Sequence, residues 1–228
     1  RALQRLRALF NWAVQHDFTT VNPTIGIKRP TKEKPKERIL SDDELVGVWS
    51  ACDVLHFPAK EYFRFMILCG QRRDDVRCMR WREIDLENGN WVIPGSRYKN
   101  GRAHLVPLTE DMTRLLRELP VKECGGYVFS TTGGKSPYSN LQKPKQILDR
   151  NCDIEPWTIH DLRRTLRTGL SRLGTRPDVS ERVIGHMVGG ILGITYDHYE
   201  FRSEKFAALR AWGEHVKSCV KEARPQIS

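Results

Sequence analysis

No stretch of the 228 residues approaches the roughly 20 consecutive apolar side chains of a membrane-spanning helix. No secretory leader is recognisable either, so no membrane partner is expected and a cytoplasmic setting is. Cysteine is sparse and unpatterned. Cys52, Cys69, Cys78, Cys124, Cys152 and Cys219 form no CxxC and no Cys/His spacing of the zinc-binding kind, which predicts reduced thiols and no metal. There is no P-loop for a nucleotide and no pair of carboxylates placed for acid–base hydrolysis. Negative charge is the other shortage. Against 38 Lys and Arg stand 28 Asp and Glu, a formal charge of +10 with an isoelectric point near 9.5. The surplus points to a polyanionic partner such as nucleic acid. The plainer alternative is a soluble protein that is merely basic.

What is present divides into two parts. Residues 1–17 set Leu3, Leu6, Leu9, Phe10 and Ala13 in a helical rhythm that Val21-Asn22-Pro23 ends. Residues 27–38 hold two prolines, many charges and almost nothing apolar, the composition of a linker. The chain opens at Arg1 without methionine, which fits a piece of a longer protein. The reading is therefore residues 1–30 as the tail of an upstream domain, 31–40 as linker and 41–228 as the main domain. That domain begins with a capping box, Ser41 at the N-cap and Glu44 three residues on. Helices follow to about Cys52, over 59–69 with a stop at Gly70, and over Asp74–Met79. The rhythm then changes to short runs, Glu83–Leu86, Trp91–Pro94 and His104–Pro107, separated by Asn88-Gly89 and Asn100-Gly101. These pairs are strong hairpin signals and predict a three-stranded antiparallel sheet. Further helices are expected at about 109–118, 138–149, 160–173, 177–185 and 203–221, with Gly133-Gly134 and Gly189-Gly190 as loops. The fold class is α+β, mainly helical with one small sheet.

The stretch Trp157–Thr165 opens a helix after Pro156 and carries a buried stripe of Leu162, Leu166, Leu170 and Leu173. His160 and Arg163, three apart, project from nearly one face, and an imidazole beside a guanidinium suits a phosphate. Arg72 stands just past the glycine that ends a helix, with Asp75 near enough to hold its guanidinium. Lys99 sits at a hairpin tip, His186 follows Gly185, and Tyr196 comes ten residues later. Each has a bland reading. Arg72 could be an ordinary ion-pair partner, Lys99 a solvated turn residue, His186 a helix cap and Tyr196 a half-buried aromatic.

In this order the residues resemble the tyrosine recombinases, the phage-type integrase family, whose pattern runs Arg, Lys, His-x-x-Arg, His or Trp, then Tyr. Here it is met by Gly70-x-Arg72, Lys99, His160-x-x-Arg163, Gly185-His186 and Tyr196. Arg80-Trp81, Val106-Pro107-Leu108 and Trp212 match as flanks, over about residues 38–218. Phe10-Asn11-Trp12-Ala13 and Asn22-Pro23 look like the end of the family's core-binding domain. The resemblance implies a tyrosine recombinase-like DNA breaking–rejoining fold with Tyr196 as nucleophile and His160 as proton acceptor. Arg72 and Arg163 would clamp the phosphate, Lys99 would protonate the leaving 5′-oxygen, His186 would hydrogen-bond the phosphate, and Asp75 would support Arg72. It implies double-stranded DNA attachment sites as partners and a homotetramer on DNA with accessory DNA-bending proteins. It further implies a bacterial host, nucleoid association, and no cofactor. Residues 203–221 are a candidate for exchange between neighbouring subunits. A type IB topoisomerase-like relaxase or a catalytically silent DNA-binding module are the alternatives, and a basic phosphatase or nuclease fits less well. Three departures stand out: Cys69 for the usual threonine, Asp75 for the usual glutamate, and ten rather than nine residues between His186 and Tyr196. Tyr199 is the rival nucleophile.

Overall fold

The computed structural model describes residues 2–28, 38–98, 101–120, 126–186 and 199–223. The chain forms two compact units, Arg1–Glu37 and Arg38–Ser228. In the first, helix α1 (Ala2–Gln15) buries none of its residues. Leu6, Leu9 and Trp12 keep the expected rhythm and are about half exposed. The turn after it is fixed by Asn22, whose Oδ1 accepts from the backbone N–H and hydroxyl of Thr24 at 2.8 and 2.7 Å. Its Nδ2 donates to Asn11 at 2.6 Å.

The second unit is mainly helical, as expected. Helix α2 (Asp42–Ala51) starts with the capping box: the Ser41 hydroxyl accepts from Glu44 N–H, and the Glu44 carboxylate accepts from Ser41 N–H. Two of the helix's orphan donors are thereby satisfied. Helix α3 (Ala59–Cys69) is buried nearly all round, with Tyr62, Phe63, Phe65, Met66 and Ile67 at most 1% exposed. A helix apolar on every side belongs in the middle of a core. It stops at Gly70, and the short α4 (Arg73–Arg77) begins three residues on.

The sheet has the order β1 (Ile84–Asp85), β2 (Asn90–Ile93), β3 (His104–Pro107), antiparallel throughout. Asp85 Oδ1 accepts from the backbone of Glu87 and Asn88, an Asx turn that sets up the first hairpin. Trp91 and Ile93 point into the core while Val92 between them is exposed, the alternation of a strand with one buried face. The remaining helices are α5 (Glu110–Arg117), α6 (Gln142–Asn151), α7 (Ile159–Arg172), α8 (Pro177–Val183) and α9 (Arg202–Ala223).

Two expectations are corrected here. Helix α6 starts at Gln142, leaving residues 138–141 outside it. In α7 Leu162, Leu166 and Leu170 are buried but Leu173 is 41% exposed, because it is already the C-cap, where the chain turns away. Among the described residues no helix is long and apolar enough to cross a membrane.

Helix α9 packs against α2, α3, α7, α8 and β3 of its own unit. Trp212 is wholly buried, and its indole N–H donates to the Ile67 carbonyl at 2.8 Å. Its ring lies on Gly169 of α7, where a Cβ would stand 2.2 Å from an indole carbon. Leu209, Trp212 and Val216 of α9 are thus built into the core of the unit. Lys205 of α9 donates to the Leu105 carbonyl of β3 at 2.7 Å. Next to it His104, 8% exposed, stacks on Tyr98 with ring centres 5.0 Å apart. Burial, and then the Lys205 charge, push the His104 imidazole down to about 3.

Gly169→Ala gains about 1 kcal/mol of helix propensity but forces Trp212 out of place. The overpacking cost of about 1–3 kcal/mol should win. Urea denaturation is expected to show net destabilisation, whereas exposed Ser218→Ala should be nearly neutral. His104 sets a pH dependence. Its unfolded imidazole takes up a proton near pH 6.5, and the folded one does so only near 3. The unfolded state therefore binds more protons across that window, and stability falls as pH drops from about 6.5 to 3, by up to ~5 kcal/mol from this group. Chemical denaturation of wild type and His104→Phe at pH 7 and pH 4 should show a smaller acid loss in the variant.

Candidate functional site

The site is assembled where α3, α7 and α8 end or begin. Gly70 turns the chain out of α3, and Gln71, with no exposed surface, fixes the path of the chain beyond it. Its side-chain Nε2 donates to the carbonyls of Cys69 and Val183 at 3.1 and 2.8 Å. Arg72 then takes extended backbone as the N-cap of α4. Its guanidinium lies 4.4 Å over the Tyr98 ring, and its Nη1 is 3.6 Å from Asp75 Oδ2. That distance makes an ion pair but not a hydrogen bond. Among the described residues both atoms are buried and lack a hydrogen-bond partner. Asp75 does stand against Arg72 as expected. Burial pushes its carboxyl above the usual range, against the pull of Arg72, Arg97 and Arg163.

Helix α7 carries the other two residues into place. Its capping box uses Thr158 and the buried Asp161, which accepts from the Thr158 N–H and hydroxyl at 2.8 and 2.7 Å. Arg163, one turn in, is 3% exposed. Its Nη1 donates to the Gly70 carbonyl at 3.0 Å, and its Nη2 donates to the Ile184 carbonyl. A guanidinium has five N–H groups, so three remain beyond these two bonds among the described residues. Burial and the Arg72 charge lower its pKa to about 10, which leaves it charged at neutral pH.

His160, by contrast, is at the exposed rim. Desolvation and the charges of Arg164 and Arg163 lower its pKa, favouring the neutral ring that can accept a proton. An open cleft of about 490 Å³ is lined by Arg72, Asp75, Arg97, Thr158 and His160 among others. Arginines and a neutral imidazole around one opening can hold an oxyanion and move a proton beside it.

His186 stands three residues past the end of α8. Gly185 before it has φ +65°, and a Cβ there would lie 1.7 Å from the Tyr98 hydroxyl oxygen, so only glycine fits. That hydroxyl donates to the Gly185 carbonyl at 3.1 Å. The His186 ring pairs through Nδ1 with Glu181 at 2.6 Å, and Arg167 holds Glu181 at 2.7 Å. Lys99 and Tyr196 lie outside the described residues. Tyr199 is described and exposed, and its hydroxyl donates to both oxygens of Glu204 at 3.2 and 3.1 Å. That hydrogen bond to a carboxylate raises its pKa, the wrong direction for a nucleophile. The buried thiol of Cys69, pushed up to about 12, is inert.

Arg72, Asp75, His160 and Arg163 are thus brought together, with His186 fixed at the end of α8. Sequence reasoning overlooked Tyr98, Gln71 and His104, which hold the parts in register. Adjacency to Lys99 was a usable signal for Tyr98. Gln71 and His104 gave none, because their partners lie far along the chain.

Residues 38–202 match the family model described as Phage integrase family. The chain is 22% identical over 223 residues to prophage integrase IntA of Escherichia coli (strain K12), covering 96% of this chain and 54% of that protein. It is 28% identical over 211 residues to a putative integrase/recombinase of Haemophilus influenzae, covering 86% and 54%. The chain spans about half the length of the curated relatives it matches. Among solved structures it is similar to a lambda integrase tetramer bound to a Holliday junction, with TM-score 0.59 and 18% identity over 86% of this chain and 58% of that one. The integrase from mycobacterium phage Brujita gives TM-score 0.58 and 15% identity over 92% and 70%. These likenesses identify the expected fold, a tyrosine recombinase catalytic domain. With a family model spanning most of its length, the chain belongs to the phage integrase family.

Proposed function

We propose that the protein is a site-specific DNA recombinase that cleaves and rejoins duplex DNA through a 3′-phosphotyrosyl intermediate. One observation carries this reading. A buried guanidinium nitrogen of Arg72 makes no hydrogen bond among the described residues, and Arg72 lines a cleft with His160, close to the charge of Arg163. A buried donor without a partner is costly, and a phosphate oxygen is the acceptor this arrangement suits.

In the mechanism the Tyr196 oxygen attacks phosphorus, its proton passing to His160. The bond to the 5′-oxygen breaks, and Lys99 supplies that oxygen's proton. Arg72 and the three spare N–H groups of Arg163 take up the charge on the non-bridging oxygens. His186, steadied by Glu181, adds a hydrogen bond, and Asp75 keeps Arg72 in register. The phosphotyrosyl ester preserves the energy of the bond that was broken, so resealing is the same step reversed and consumes neither metal nor ATP. The Glu204 bond on Tyr199 favours Tyr196 as the nucleophile.

In this reading residues 1–30 end a core-binding domain, 31–40 are the linker and 41–228 the catalytic domain. The partners are double-stranded attachment sites on cytoplasmic, nucleoid-associated DNA, held by a homotetramer with accessory DNA-bending proteins. The net charge of +10 suits that partner.

The protein should be incubated with a pool of nicked duplexes, without metal or nucleotide, and scored for a denaturation-resistant protein–DNA band. Wild type and Tyr199→Phe are expected to form the adduct, Tyr196→Phe to form none, and Arg72→Lys to form it at least about 100-fold more slowly. An adduct surviving Tyr196→Phe but lost in Tyr199→Phe would reassign the nucleophile. DNA binding without any adduct would mark a silent binding module.

A further inference from the structure

The first turn of α2 and the last turns of α9 meet in a group of side chains that the DNA chemistry does not use. His215 and Cys219 are four apart on α9 and so share one face. They converge with Asp42, the first residue of α2, and all three are half-buried. His215 Nε2 lies 3.1 Å from Asp42 Oδ1 and 3.7 Å from Cys219 Sγ. One ring nitrogen thus faces a carboxylate oxygen and a sulfur at once, although it can carry only one proton. Ligand atoms from all three residues lie within 4.8 Å of one another.

We propose that Asp42, His215 and Cys219 form a binding site for a zinc-like divalent cation that clips α9 to the start of α2. The distances suit it. Zinc bonds of about 2.0–2.2 Å to oxygen and nitrogen and about 2.3 Å to sulfur, at tetrahedral angles, place ligand atoms about 3.3 Å apart for oxygen and nitrogen. For nitrogen and sulfur the same geometry gives about 3.6 Å. The observed 3.1 and 3.7 Å from the His215 nitrogen are close to these values, and with all three ligand atoms within 4.8 Å of one another the side chains need to draw in to share one ion. A thiolate with an imidazole and one carboxylate selects a borderline-soft ion over magnesium or calcium. Three protein ligands leave a fourth position for water. Binding displaces the thiol proton into solvent and leaves the imidazole neutral.

Trp212, one turn before His215, has its ring centre 5.7 Å away and shields one side of the site. Arg172 is the competing charge. Its Nη2 donates to Asp42 Oδ1 at 2.6 Å, and its side chain is half exposed and able to swing away. The sequence alone hides the site, because its ligands come from positions 42, 215 and 219 without a recognisable spacing.

Cobalt(II) is the probe, titrated into metal-free protein under reducing conditions with absorbance read out. Wild type is expected to develop a thiolate-to-cobalt charge-transfer band in the near ultraviolet and intense visible bands of tetrahedral cobalt, both bleached by zinc. Cys219→Ser and His215→Ala should lose these signals while keeping wild-type circular dichroism, and Cys78→Ser should keep them. Arg172→Gln, which removes the competing charge, should bind cobalt at least as tightly as wild type. Zinc should raise the thermal midpoint of wild type and leave that of Cys219→Ser unchanged. Absence of the band in wild type, or its persistence in Cys219→Ser, would overturn the site and leave the three residues as an ion-paired contact.

Discussion

The guanidinium of Arg163 is the point on which the second unit closes. It is buried, charged at neutral pH, and bonded to the carbonyl of Gly70 after α3 and that of Ile184 after α8. Helix C-termini present unpaired carbonyls and a partial negative charge, so a buried cation is stabilised where two such ends converge. The same placement sets the function. The residues after those two carbonyls are Gln71-Arg72 on one side and Gly185-His186 on the other. Holding the two helix ends together therefore holds the neighbouring reactive groups together. Gln71 repeats the tie one residue away through the Val183 carbonyl. Tyr98 completes it by stacking under Arg72 while donating to Gly185.

Much of this was legible in the sequence because local chemistry wrote it there. The Ser41–Glu44 capping box, the stop at Gly70 and the Asn88-Gly89 turn ahead of β2 each involve residues within a few positions of one another. Their structural outcome needed no knowledge of the rest of the chain. The Arg72, His160 and Arg163 set was legible for another reason, since ordered spacing along the chain matched a family pattern. The hidden part depends on contacts between distant segments. Gln71 meets Val183, His104 lies against Lys205, and Trp212 fills the space above Gly169. Leu173 misled because a periodic pattern does not say where the helix stops obeying it. The exposed leucines of α1 show the same limit, since periodicity announces a face without telling what covers it.

The two arginines of the site are prepared differently, and the contrast is physical. Arg163 is anchored by backbone acceptors that cannot move without unfolding helix ends, so its orientation is a property of the fold. Arg72 is held by an aromatic face and by a carboxylate just beyond hydrogen-bonding distance, which leaves its Nη1 underused. A rigid cation beside one with unspent bonding capacity suits an anion that must be gripped firmly and charged further during reaction. Asp75, with one methylene fewer than glutamate, contributes to that loose hold by reaching Arg72 only at 3.6 Å.

The space over Gly169 of α7 is filled by Trp212 from α9, whose indole also caps the Ile67 carbonyl of α3. During synthesis on the ribosome, the greasy surface of α3 and α7 is therefore complete long before its cover exists. Until residues 202–223 have emerged, the nascent unit presents an unfilled slot and a bare carbonyl, the kind of surface that chaperones hold and proteases find. Closure of this part of the core waits for α9. A chain cut short before that point would keep this surface open to solvent.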